Sequence, residues 1–195
     1  IQGLGVVPAD LGAWGVDAAV AGGHKWLLGP EGTGLLFTSA ELRPKLHVAA
    51  PSWSSLAEQG DRWLLDLDLD PTGRRFEGGT RNNVGTVGLG ASLDLLLGVG
   101  IPTVWAHVDR WCTDLASGLA DLGATVLSDR SPAHRSSIVT ASFGDADPDA
   151  LVELLLARGL MVASRGGGVR FSPHGWNDDD DLAATLGAVA NAWSR

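Results

Sequence analysis

The chain has 195 residues, 45% of them hydrophobic, with 8 Trp, 4 Phe and no Tyr, and a formal net charge of -9. That is enough apolar material for a real core, at a length between one and two domains. The acidic balance, with no Lys/Arg cluster, excludes DNA or RNA as a partner, because a polyanion needs a basic face that releases counterions. The single cysteine, Cys112, closes no intrachain disulfide and no zinc framework is present. The fold therefore does not depend on an oxidising compartment and the sequence reads as cytoplasmic; no apolar stretch is long enough to cross a bilayer, and no membrane partner is expected.

The opening "IQGLGVVPADLGAW" lacks methionine and runs straight into apolar, turn-punctuated sequence, so a fragment of a longer protein is expected. Ile1 to Val7 is predicted as a short strand ending at Pro8, "DLGAW" as a helix or turn, and Ala18 to Ala21 as a second strand bounded by Gly22-Gly23. "GTGLLFTS" predicts a further core strand, and "SAELRPKL" a helical turn capped by Ser39. From Val48 to Arg75 the pattern becomes irregular. There Asp66, Asp68 and Asp70 alternate as on one face of an extended strand; without the glycine and terminal glutamate of a calcium loop, a solvated edge strand is the simpler reading.

Two helices follow, "NVGTVGLGASLDLLLGVG" and "IPTVWAHVDRWCTDLASGLADLG", the second with Pro102 in its first turn and Gly123 as its stop. Cys112 lies on the second with Trp105, Val108 and Leu115, as a small buried hydrophobe. The remainder predicts strands in "ATVLS", "SSIVTASF", "LMVAS" and "GVRFSP", a helix in "DPDALVELLLARG" and a terminal helix in "NDDDDLAATLGAVANAW". The expected division is residues 1–95 and residues 96–195, the latter a connecting helix with a small α+β domain.

Lys25, in "AGGHKWLLGPEGTGLLF", is one of only two lysines. A lysine amine becomes a nucleophile when desolvation lowers its pKa, and Val20, Trp26, Leu27 and Leu28 supply apolar neighbours, while Gly22 and Gly23 allow a ligand to approach the backbone. The alternative is a surface turn lysine. "GPEGTG" lacks the Gly-Lys-Ser/Thr ending of a nucleotide cradle.

In "RRFEGGTRNN" the backbone N–H groups of the Gly-Gly-Thr turn and the Thr80 hydroxyl suit a phosphate, with Arg81 beside them; equally, Thr80 or Asn82 caps the following helix. In "GVRFSPHGWNDDDD", Arg170 opposes Val169 and Phe171 and has the fork that captures a carboxylate, or else forms a structural salt bridge. The run Asp178 to Asp181 beside His174 reads as helix capping and dipole compensation, not as a metal site.

Taken together and in this order, "GGHKWLLGPEGTGLLF", "RRFEGGT" and "VRFSPHGWNDDDDL" resemble the class V aminotransferase family of pyridoxal-phosphate enzymes. The resemblance covers essentially the whole chain. It implies the C-terminal part of a fold-type I α/β transferase: a partial large domain around a mostly parallel sheet, plus a small α+β C-terminal domain. The expected assembly is a homodimer with shared active sites, and the expected substrate a small amino acid.

For the cofactor, pyridoxal 5'-phosphate, the resemblance implies a Schiff base at Lys25, phosphate contacts from His24 and from the Gly79-Thr80 turn across the dimer, and a ring contact from Gln2. Arg170 corresponds to the arginine that binds the substrate carboxylate. The family's aspartate three residues before that glutamine would here precede Ile1, and the N-terminal half of the family pattern is absent. Gly22 stands where desulfurase relatives often have serine. No cysteine lies between Phe143 and Arg170, so cysteine desulfuration is disfavoured against aminotransfer, epimerisation or lyase chemistry. A degenerate, noncatalytic fragment is the competing expectation.

Overall fold

The computed structural model describes residues 1–57 and 68–193, in two compact units, Ile1–Gly98 and Val99–Arg195.

In the first unit, strands β1 (Ala18–Gly22) and β2 (Gly34–Thr38) pair antiparallel, with Ala18 opposite Thr38 and Gly22 opposite Gly34. The short connection between them dictates this direction, because a parallel pair needs a crossover of a dozen residues or more. The parallel part of the family's sheet is therefore not represented among the described strands. Helix α1 (Asn83–Val99) closes the unit. Ser39 behaves as expected: its Oγ accepts the Leu42 N–H at 3.1 Å and donates to Asp17 at 2.9 Å.

Two expectations fail here. Ile1 to Val7 is a turn, not a strand: the N–H groups of Val6 and Val7 both donate to the Gly3 carbonyl, at 3.2 and 2.8 Å, and Gly5 sits at φ 99°. Such a closed turn has no extended edge to offer a neighbour. Nor do Asp68 and Asp70 share a solvated face. Asp66 lies outside the described residues, Asp68 is exposed, and Asp70 is buried. The Asp70 carboxylate accepts the Thr72 hydroxyl and the Thr72 N–H, bonds that hold it below the usual carboxylate range.

The second unit is an antiparallel four-stranded sheet in the order β3-β4-β6-β5, built from β3 (Thr125–Val126), β4 (Val139–Ser142), β5 (Ala163–Arg165) and β6 (Gly168–Phe171). Its register sets Val139 opposite Phe171 and Ala141 opposite Val169, so four buried apolar residues share one face. Helices α2 (Ile101–Asp121) and α3 (Pro148–Leu156) pack on the sheet, and α4 (Asp179–Ala192) packs on both helices. Thus α2 is a core member of this unit: Val108, Cys112, Leu115 and Leu119 are each fully buried along it. The capping signals hold, with Pro102 in the first turn of α2, Gly123 left-handed after its end, and Asp178 capping α4. Among the described residues no single helix is long and apolar enough to cross a membrane.

Candidate active site

The connection between β1 and β2 carries His24 and Lys25. The next two residues, Trp26 and Leu27, are buried, whereas His24 and Lys25 are exposed. Hydrogen bonds fix the backbone beneath them. The Gly23 N–H donates to the Thr33 carbonyl at 2.8 Å, the Gly29 N–H to the Gly23 carbonyl at 2.7 Å, and the Leu28 N–H to the Lys25 carbonyl at 3.0 Å.

Leu28 has φ 57° and is the one non-glycine in the left-handed region among the described residues. That conformation costs about 1 kcal/mol or more and persists only where surrounding structure enforces it. Helix α1 does so: Ser92 Oγ donates to the Leu28 carbonyl at 2.8 Å, and a Cβ on Gly29 would lie 2.6 Å from Leu89 Cδ1.

The Ile1–Val7 turn packs against the same connection. A Cβ on Gly5 would lie 2.6 Å from the Trp26 carbonyl oxygen, and one on Gly22 would meet His24 Cε1 at 3.2 Å and Ile1 Cγ2 at 3.6 Å. The turn that carries Gln2 thereby lies against the connection that carries His24 and Lys25.

The surroundings of Lys25 differ from expectation in two respects. Val20 is 63% exposed and does not enclose the lysine. At Gly23 a Cβ would collide with Thr33 Oγ1, so hairpin closure by itself requires the second glycine.

Gly79 and Thr80 are held elsewhere in this unit by a web that joins residues 52–56 to residues 74–79. The Gly79 N–H donates to Ser52 Oγ at 2.8 Å, Ser54 Oγ donates to the Glu77 carbonyl at 2.6 Å, and Arg74 donates to the Ser54 and Leu56 carbonyls at 3.1 and 2.9 Å. The Gly79 N–H is therefore spent, and Gly79 contributes its φ of 69°. Asn82 Oδ1 accepts the Gly85 N–H at 2.9 Å, which makes Asn82 the cap of α1 and leaves the Thr80 hydroxyl unbonded among the described residues. Thr80 lines a cleft of about 340 Å³ with Trp53, Ser54, Arg74, Arg81 and Asn83, a set that includes neither His24 nor Lys25. Arg81 pairs with Glu77 at 3.1 Å, both side chains about half exposed.

In the second unit Arg170 lies on β6 between Thr140 and Ala163, on the face opposite the apolar one. Its Nε is buried without a hydrogen-bond partner, and it forms no salt bridge among the described residues. The structural ion pair left open by the sequence is therefore not made there. An unsatisfied buried donor costs about 1–3 kcal/mol, so the guanidinium is suited to an anionic ligand.

Two other groups are accounted for by packing. His174 accepts the Gly175 N–H on Nδ1 at 2.8 Å and stacks on Trp176 at 3.7 Å, and burial pushes its pKa down to about 4. Cys112 is fully buried, and burial pushes its thiol up to about 12, which removes thiolate reactivity.

Sequence reasoning missed the Ser52–Ser54 web and the bond from Ser92. Ser92 had one visible signal, a hydroxyl in the middle of an apolar helix. It also missed Asp109, which accepts from Arg130 and from Arg135 at 2.9 Å each and pins the loop after β3 to α2.

The fold and these motifs meet in one family. The aminotransferase class V family model matches residues 1–173, and the chain belongs to that family. Its members are pyridoxal 5'-phosphate enzymes. An uncharacterized aminotransferase of Bacillus subtilis is 26% identical over 189 residues, covering 97% of this chain and 49% of that protein. A probable hercynylcysteine sulfoxide lyase of Mycobacterium tuberculosis is 29% identical over 210 residues, 98% of this chain and 48% of that protein. The apo structure of a cysteine desulfurase from Thermococcus onnurineus superposes with a TM-score of 0.86 at 21% identity, covering 98% of this chain and 50% of that one. The chain thus spans about half the length of the relatives it matches.

Proposed function

We propose that this chain is the C-terminal portion of a pyridoxal-phosphate enzyme that acts on an amino-acid substrate by aminotransfer, epimerisation or elimination. The observation that carries the reading is Lys25, presented outward from a backbone that Leu28, Ser92, Gly5 and the hairpin hydrogen bonds hold in place. When bound, the cofactor supplies an aldehyde that condenses with amines and a conjugated ring that draws electrons from the substrate Cα.

Lys25 Nζ would hold the cofactor covalently as a Schiff base, and the amine would serve to move the proton at that carbon. His24 would contact the cofactor phosphate and Gln2 its ring, the Thr80 hydroxyl would bind phosphate across a homodimer with shared sites, and Arg170 would hold the substrate carboxylate through its uncommitted guanidinium. The buried thiol of Cys112 supports setting desulfuration aside. A cytoplasmic location and residues 1–95 as the cofactor-binding portion complete this reading.

A second reading, a noncatalytic fragment that keeps the packing alone, draws on the exposure of Lys25. One experiment separates them: incubation with pyridoxal phosphate, borohydride reduction and peptide mass spectrometry. The expected result is a phosphopyridoxyl group on Lys25 that disappears in Lys25→Ala, with Lys45 unlabelled. Equal labelling of both lysines, or none, favours the fragment and overturns the proposal for this chain.

A further inference from the structure

The second unit contains a cavity of about 380 Å³ that the proposed chemistry does not use. Trp111 of α2, Phe171 at the end of β6 and Thr185 of α4 line it, with Met161, Arg158 and Asp181. Phe171 belongs to the helix-covered face of the sheet, and Arg170, the proposed carboxylate anchor, is not among the residues that line the cavity.

Three observations give this cavity a chemistry. Thr185 is only 5% exposed, it lines the cavity, and no hydrogen bond commits its hydroxyl among the described residues. Arg158 and Asp181 carry opposite charges on the same cavity, but no salt bridge joins them among the described residues. Arg158 spends one nitrogen on the Leu154 carbonyl at 2.8 Å, and Asp181 spends Oδ2 on Asn177 and on the Asp178 N–H, which leaves the rest of the guanidinium and Oδ1 uncommitted. Between them the floor is apolar: the Trp111 indole N–H already donates to the Asp178 carbonyl at 2.8 Å, so the ring offers only its surface.

A cation, an anion and a hydroxyl around an apolar floor match a small zwitterion. We propose that this cavity binds a free α-amino acid with an aliphatic side chain. Arg158 takes the carboxylate, Asp181 and Thr185 take the ammonium, and Trp111 and Phe171 receive the side chain. The volume is ample for one such molecule, and aromatic floors with a few convergent polar groups are the usual makeup of small-molecule sites. This site depends on neither Lys25 nor Arg170.

The test is calorimetric titration of L-norleucine into a Lys25→Ala/Arg170→Ala protein, in which the proposed active site is disabled. Binding is expected to persist there, and to weaken about tenfold or more in Arg158→Ala, as loss of a hydrogen bond to a charged group implies. Thr185→Val, which keeps the helix packed, should also weaken it. N-acetyl-L-norleucine, without the ammonium, and L-norleucinol, without the carboxylate, should each bind at least about tenfold more weakly. Absence of binding in the Lys25→Ala/Arg170→Ala protein overturns the proposal, as does equal binding of the N-acetyl compound or indifference to both Arg158→Ala and Thr185→Val. Failure of phosphopyridoxyl labelling at Lys25 would leave this titration untouched, so the two proposals fall separately.

Discussion

The two units solve the same physical problem differently. The second builds a closed interior, with Leu115, Leu119, Leu155, Val139, Val169 and Val189 all fully buried between one sheet face and three helices. The first leaves much of its apolar surface open: Leu36 on β2 is 52% exposed, and on α1 Val84 and Leu97 are 86% and 72% exposed. The unit that carries Lys25 therefore takes its order from local hydrogen bonds and glycine contacts, and the unit that carries Arg170 from its core.

That contrast can be broken by substitution. The largest effect is expected for Leu115→Ala, which should cost about 2–5 kcal/mol in chemical denaturation, against a change within about 0.5 kcal/mol for Leu97→Ala on the exposed helix face. Equal losses would mean that α1 is covered in solution. Next, Gly5→Ala should destabilise the first unit by about 1–3 kcal/mol, because the new Cβ needs a left-handed backbone and meets the Trp26 carbonyl. A neutral result would detach the Gln2 turn from the Lys25 turn. Ser92→Ala should cost about 1 kcal/mol through the lost bond to Leu28, read as faster amide exchange at Leu28 and Gly29.

The smallest effect concerns acid. Folding lowers the pKa of His174 from 6.5 to about 4 by burial, so between those values the unfolded chain binds the additional proton. The contribution of His174 is whole above pH 6.5 and declines as the pH falls toward 4. The slope of stability against pH in that range should be shallower in His174→Gln, whose side chain does not titrate; an unchanged slope would place the pH dependence elsewhere.

Much of this was legible in the sequence where the cause is local. Asp178, Pro102 and Gly123 announced helix ends because capping depends on residues one turn apart, and alternation in "SSIVTASF" and "GVRFSP" announced strands that share a buried face. What stayed hidden depends on distant partners. Gly5 reads as part of a strand until Trp26 arrives against it, Gly23 reads as a ligand-facing glycine until Thr33 occupies its space, and Asp70 reads as a solvated carboxylate until Thr72 turns back on it. At the candidate site, Lys25, Thr80 and Arg170 stood out by residue type and motif. The web of Ser52, Ser54 and Arg74 did not, since serine and arginine at those spacings carry no periodic signal.

The left-handed Leu28 has a mechanical consequence. With its carbonyl fastened to α1 and its N–H to Lys25, the root of the lysine is stationary and only the four-carbon stem swings. The amine then explores an arc about a fixed pivot, and whatever it reaches in one excursion it can reach again in the next without the main chain having to rearrange.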